Sequence, residues 1–179
     1  GMLATNDEAL AYRIRLLCGY GHMPDRKADT PGQQLHIGEG YNVPLDPLQA
    51  ALLTVKLPYL TEWTERRRTI AMAYAEGLAG SSAVLPTFRA DSAPTFREYT
   101  IRVQDQQHVY RALRSAGIEA VLHYVPPIHQ QPVYDGQLPG ADHVPVTDKV
   151  VRQIICLPVT VELDKEDISY VVAILRDLL

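Results

Sequence analysis

The sequence predicts an α+β domain, a small sheet layered with helices, preceded by a helical lead-in of different character. Three observations predict it. From residue 96 onward, short alternating apolar runs trade places with helical patterns, in the order strand, helix, strand, helix, strand, helix. The last helical pattern carries a continuous apolar face. The hydrophobic fraction of 46% is ample for a packed core and argues against disorder.

The elements follow in order. Residues 2–5 read as a short strand. Asn6 then caps a helix over 6–18, with Asp7 and Glu8 favourably placed in its first turn. Ala9, Leu10, Ile14 and Leu17 form its apolar stripe. Residues 19–44 read as a long loop rich in Gly, Pro, Asp and His, a kind of connection that is usually functional when ordered. Asp46-Pro47 is a strong helix start, a capping carboxylate followed by proline at the first helical position. Leu48, Ala51, Leu52 and Val55 recur at helical spacing until Pro58, which must kink or restart the helix.

A second helix carries Leu60, Trp63, Arg67, Ile70, Tyr74 and Leu78 on one stripe and closes at Gly80. Within it, Arg66-Arg67-Arg68 beside Glu62 and Glu65 reads as a solvated, ion-paired face. Residues 96–103 alternate as a strand, 106–116 form a helix closed by Gly117, and 118–124 form another strand. A short helix over 145–153 precedes a third strand over 154–157, stopped by Pro158. Asp164 caps the final helix, whose face is Ile168, Val171, Val172, Leu175 and Leu178. Three segments result: 1–45 with its long loop, 46–80 as connecting helices, and 81–179 as the small α+β domain.

Composition excludes several classes. A net charge of −4 gives no electrostatic reason to expect nucleic acid or an anionic membrane as partner. No apolar run approaches a membrane span, and no signal-peptide pattern occurs. The two cysteines, Cys18 and Cys156, lack CxxC spacing, so the expectation is a reducing cytoplasm without disulfides. Gly19-Tyr20-Gly21 and Gly38-Glu39-Gly40 lack the third glycine of a dinucleotide fingerprint, and neither P-loop nor GxSxG elbow is present. His123 and His129 are separated by Tyr-Val-Pro-Pro-Ile, which cannot be helical. No third ligand cluster accompanies them, so no metal site is expected. Asp142 and His143 read as loop residues.

A series of short runs is more specific. Gly1-Met2-Leu3-Ala4-Thr5-Asn6 is followed by Gly40-Tyr41-Asn42, Leu45-Asp46-Pro47-Leu48-Gln49-Ala50-Ala51, Leu57, Leu60 and Arg66-Arg67-Arg68. Then come Tyr99-Thr100-Ile101-Arg102-Val103, Gly117-Ile118-Glu119, His123-Tyr124 through Pro127-Ile128-His129-Gln130-Gln131-Pro132, and Cys156-Leu157-Pro158. In this order they resemble the C-terminal half of DegT/StrS-type sugar aminotransferases, over essentially the whole chain.

The resemblance implies an α/β fold, the C-terminal part of a fold type I pyridoxal-phosphate transferase. Residues 1–45 would then be a remnant of the large coenzyme-binding domain, followed by the small domain with an antiparallel sheet. It further implies transfer of an amino group, commonly from glutamate, to the keto carbon of a nucleotide-linked sugar. Members form dimers with the coenzyme at the subunit interface. Asn42 matches the asparagine that reaches the coenzyme phosphate of the other subunit; an amide can donate to a phosphate oxygen without adding charge. Read from the residues alone, a turn asparagine after Gly40 is the alternative.

Pro44 stands where the family usually places an arginine, so a bidentate cation for anions is missing. His123, with Tyr124, matches the histidine facing the sugar-nucleotide cleft; the alternative is a packed strand-end histidine held by a carbonyl. His129 also matches a recurrent histidine, for which a structural role is the better reading.

The lysine that holds the coenzyme and acts as base would precede residue 1, and none of Lys27, Lys56, Lys149 and Lys165 matches it. The expectation is therefore an isolated chain without coenzyme, catalytic lysine or turnover. Three readings follow: a partial aminotransferase, a half-enzyme completed by a separate N-terminal chain, or a non-catalytic sugar-nucleotide-binding or assembly module. A dehydratase subtype shares the same pattern. Apolar elements at 2–5 and 6–18 left without a sheet predict a homodimer or larger assembly.

Overall fold

A computed structural model describes residues 3–22, 36–134 and 144–179. Met2, Lys27, Asp142 and His143, all singled out above, lie outside the described residues. The chain divides into two compact units, Gly1–Pro58 and Tyr59–Leu179. The segment 46–80 thus contributes one helix to each.

In the first unit, α1 spans Glu8–Cys18 and α2 spans Pro47–Lys56. Residues 3–5 are not a strand. No described segment pairs with them, and a strand without a ladder partner has no reason to persist. The cap of α1 is Asp7 rather than the expected Asn6. Its carboxylate accepts the Leu10 N–H at 3.0 Å, while its own N–H donates to Thr5 Oγ1 at 3.0 Å. The α2 start is as expected: Asp46 Oδ1 accepts from the Leu48 and Gln49 N–H groups at 2.8 and 3.3 Å, ahead of Pro47. Neither helix buries a residue.

The second unit holds a packed core. Pro58 lies in a 3-10 turn, Leu57–Tyr59, and α3 follows over Leu60–Gly77. Ile70, Ala71 and Tyr74 of α3 are buried, with Leu78 one turn on. Strands β1 (Tyr99–Arg102) and β2 (Ile154–Leu157) pair antiparallel, Tyr99 opposite Leu157 and Arg102 opposite Ile154. Helices α4 (Gln106–Ser115), α5 (Pro145–Val151) and α6 (Lys165–Leu178) complete the unit. Asp164 and Asp167 close a reciprocal capping box at the start of α6. Tyr99, Ile101, Ile155 and Leu157 face the core at 1% exposure or less, against Val171 and Leu175 of α6.

Three sheet-region expectations are corrected. The strand over 96–103 shortens to β1 because Phe96 has φ +48°, outside the extended region. The strand over 118–124 reduces to a single bridge, Val121 to Cys156, with N–H···O distances of 3.1 and 2.9 Å. Ala120 is tied back to Ile118, and the chain turns from His123 onward, so no ladder extends. The helix over 145–153 stops at Val151, since Gln153 is drawn to the sheet edge, its carbonyl accepting the Val103 N–H at 2.8 Å.

The basic cluster also differs from a purely solvated face. Arg68 pairs with Glu65 but also donates to the carbonyls of Pro94 and Ala93 at 3.0 and 3.2 Å. Arg66 donates to the carbonyl of Leu163. These guanidinium groups tie loops to α3 by donating to backbone carbonyls.

Candidate functional site

Asn42 lies in the first unit, where the chain folds back on the end of α1. Asn42 and Gly19 form a bridge, Tyr41 N–H donates to Leu17 O at 2.6 Å, and Val43 N–H to Cys18 O at 3.3 Å. Glycine permits this closeness. A Cβ on Gly40 would sit 2.2 Å from Gly21 N, and Gly21 itself has φ +70°. The result is a backbone clasp that holds Asn42 with its side chain exposed and without a hydrogen bond among the described residues. Pro44 is likewise exposed.

His123 and Tyr124 lie in the second unit, beyond the Val121 bridge. They border a hollow of about 570 Å³ walled by Ile128, Val146, Val150 and Ile154, with His129 and Thr147 as polar members. Tyr124 is 68% exposed, and its ring lies 4.7 Å from that of His123 at an interplanar angle of 44°. His123 Nε2 is 3.0 Å from Glu98 Oε1. The structure therefore brings His123 and Tyr124 to one rim; Asn42 belongs to the other unit. The peptide bonds His123–Tyr124 and Val125–Pro126 are cis.

Two supports around this rim were not visible in the sequence. His129 Nε2 meets Asp148 Oδ1 at 2.9 Å, and Gln130 Nε2 donates to the same oxygen at 2.7 Å, pinning the turn to α5. Beneath the rim, the Cys156 thiol lies 3.3 Å from Thr100 Oγ1. Burial pushes that thiol above its ordinary range; the Thr100 hydrogen bond opposes the rise and the Glu98 carboxylate adds to it. Glu98 and Asp148 carried no signal, since nothing local marks a carboxylate as the partner of an imidazole 25 or 19 positions away. Among the described residues, no group of three or more His, Cys, Asp or Glu side chains could hold a metal ion. No described helix is long and apolar enough to cross a membrane.

Comparison with known proteins places this architecture. The sequence profile of the DegT/DnrJ/EryC1/StrS aminotransferase family matches residues 1–176. The dTDP-3-amino-3,4,6-trideoxy-alpha-D-glucose transaminase of Streptomyces venezuelae is 31% identical over 178 residues, covering 99% of this chain and 45% of that protein. The UDP-2-acetamido-2-deoxy-3-oxo-D-glucuronate aminotransferase of Pseudomonas aeruginosa is 31% identical, covering 99% and 46% respectively. Among solved structures, S. venezuelae DesV in complex with a ketimine intermediate aligns with a TM-score of 0.86 and 31% identity, over 98% of this chain and 45% of that one. The chain thus spans about half the length of the relatives it matches, and its two-stranded sheet with helices is part of their fold. On the strength of that profile match and the shared fold, the chain belongs to the DegT/DnrJ/EryC1/StrS aminotransferase family.

Proposed function

We propose that this chain is the C-terminal portion of a pyridoxal-phosphate-dependent aminotransferase acting on nucleotide-linked keto-sugars, with a glutamate-type amino donor. The supporting observation is the family match over residues 1–176, taken with a hollow whose rim carries a paired imidazole. Family members work with pyridoxal phosphate. In this reading Asn42 donates its amide N–H to an oxygen of the coenzyme phosphate, a task that suits an exposed neutral donor. The fit extends to that one contact. Pro44 adds no cation, and Lys56, Lys149 and Lys165 lie in α2, α5 and α6 without matching the family lysine. When bound, the coenzyme supplies the electron sink through which an amino group moves between carbon skeletons.

The chain's own contribution is binding and orientation. His123 hydrogen-bonds a sugar hydroxyl, and the Tyr124 ring covers an apolar face of the nucleotide-sugar. The working assembly in this reading is a cytoplasmic homodimer or larger, with a separate N-terminal chain as the other way of completing it. A non-catalytic sugar-nucleotide-binding or assembly module is the second reading, favoured by Pro44 in place of a cation.

Calorimetric titration with dTDP-glucose and UDP-N-acetylglucosamine tests the site. One of them should bind, and His123→Ala should weaken it by roughly five- to tenfold, the worth of one good hydrogen bond. Heat-silent titrations with both would overturn the assignment. Adding a lysine-bearing N-terminal half and assaying keto-sugar amination then separates the two readings, since turnover occurs only under the first.

A further inference from the structure

Glu98 and His123 make a carboxylate–imidazole pair that neither the family match nor the sequence motifs assign. Their side chains are 28% and 29% exposed, and Oε1 lies 3.0 Å from Nε2. Among the described residues Glu98 has one other charged neighbour, Arg97, at 3.7 Å on a side chain 85% exposed, a loose pair largely screened by solvent, and the neutral Cys156 thiol lies on its other side. The ring makes the short contact with Oε1. Which nitrogen of a histidine presents a lone pair is set by the hydrogen bond that the other one makes. A carboxylate can only accept, so it takes the Nε2–H and leaves Nδ1 as the open ring atom. Among the described residues Nδ1 has no hydrogen-bond partner, and His123 borders the apolar hollow.

We infer that Glu98 is a positioning residue for His123: by accepting the Nε2–H it holds the ring in one orientation, so that Nδ1 is the atom left to accept a hydroxyl hydrogen bond from a polyol ligand in the hollow. This rests on the reading of His123 as ligand-facing. Without the carboxylate the ring must be ordered at the moment of binding, and affinity falls by that cost. A Gln at the same position still offers a carbonyl acceptor, so it retains the device; an Ala does not.

The test is NMR of the histidine ring N–H in the full chain, for wild type, Glu98→Gln and Glu98→Ala, with dTDP-glucose titrations alongside. A protected ring N–H from His123 should appear in wild type, persist in Glu98→Gln and vanish in Glu98→Ala. Affinity should stay within about twofold in Glu98→Gln and drop roughly five- to tenfold in Glu98→Ala. A ring signal unchanged in Glu98→Ala overturns the inference. So does wild-type affinity in Glu98→Ala while His123→Ala binds weakly. Should His123→Ala bind as well as wild type, the ligand-facing reading fails instead, and the ring signal then decides the positioning role by itself.

Discussion

Helix α2 carries Leu48, Leu52, Leu53 and Val55, each more than half exposed, whereas α6 carries Ile168, Val171 and Leu175, none above 6%. By composition α2 is the more apolar of the two, with one charged residue in ten against five in fourteen, and both carry apolar residues at helical spacing. Every buried hydrophobic residue among those described lies at Ile70 or beyond, so the second unit has a core of its own and the first does not. The first unit is held instead by backbone hydrogen bonds around Gly19–His22 and by two side-chain caps. Such bonds contribute little net stability each, because water competes for the same groups. The difference teaches that apolar periodicity describes what a helix is able to bury, while burial depends on what covers it.

Core truncation should separate the units most sharply. Leu175→Ala should cost about 2–5 kcal/mol in urea unfolding, through lost transfer energy and a cavity. Leu52→Ala should cost less than about 0.5 kcal/mol. Equal losses would mean that α2 is covered in solution, and the contrast would break.

Next comes the helix pair α3 and α6. A Cβ on Gly77 would lie 2.8 Å from Val172 Cγ2 and 2.9 Å from Cγ1. Gly77→Ala should therefore cost about 1–3 kcal/mol by overpacking, read from the thermal midpoint of the second unit. Gly40→Ala, which meets only backbone in the first unit, should leave that midpoint in place while disturbing the clasp at Asn42.

Tyr74 offers a smaller, pH-dependent contrast. Its hydroxyl donates to Pro158 O at 3.0 Å, and burial, helped by Asp167, pushes its pKa far above the ordinary 10.0. The folded state thus keeps the phenol protonated where the unfolded state loses the proton. This stabilising contribution is complete below pH 10 and declines as pH rises beyond it. Stability of the second unit should fall with alkalinity in wild type, and fall less steeply in Tyr74→Phe. The variant should also lose about 0.5–1.5 kcal/mol at neutral pH from the missing hydrogen bond.

The mildest comparison uses the two thiols. Cys156 is buried with its thiol pushed above the ordinary range, and Cys18 is partly exposed. Iodoacetamide should modify Cys18 first, with Cys156 reacting only as the second unit opens.

Much of the fold was legible wherever the determining chemistry is local. Asp46-Pro47 and Asp164 mark helix starts because a carboxylate reaches backbone amides two or three residues on, and the structure has both caps. The stretch 154–157 read as a strand and is one. The segment 118–124 read equally well, yet only Val121 pairs, because a ladder's length depends on where the partner chain turns away. Asn6 and Asp7 are comparable caps by residue type, and the choice fell to whichever carboxylate or amide met the Leu10 N–H. The ordered series of motifs singled out His123 and Tyr124, which the structure puts on the rim of the hollow, whereas nothing in the sequence singled out Glu98 and Asp148.

By itself, then, the chain's residue order determined its helix starts, its apolar faces and its family, since each depends on neighbours within a turn or on motif succession. Tertiary structure alone decided which apolar face is buried and which carboxylate meets which imidazole. Those outcomes depend on distances between segments far apart in sequence, which no local preference sets.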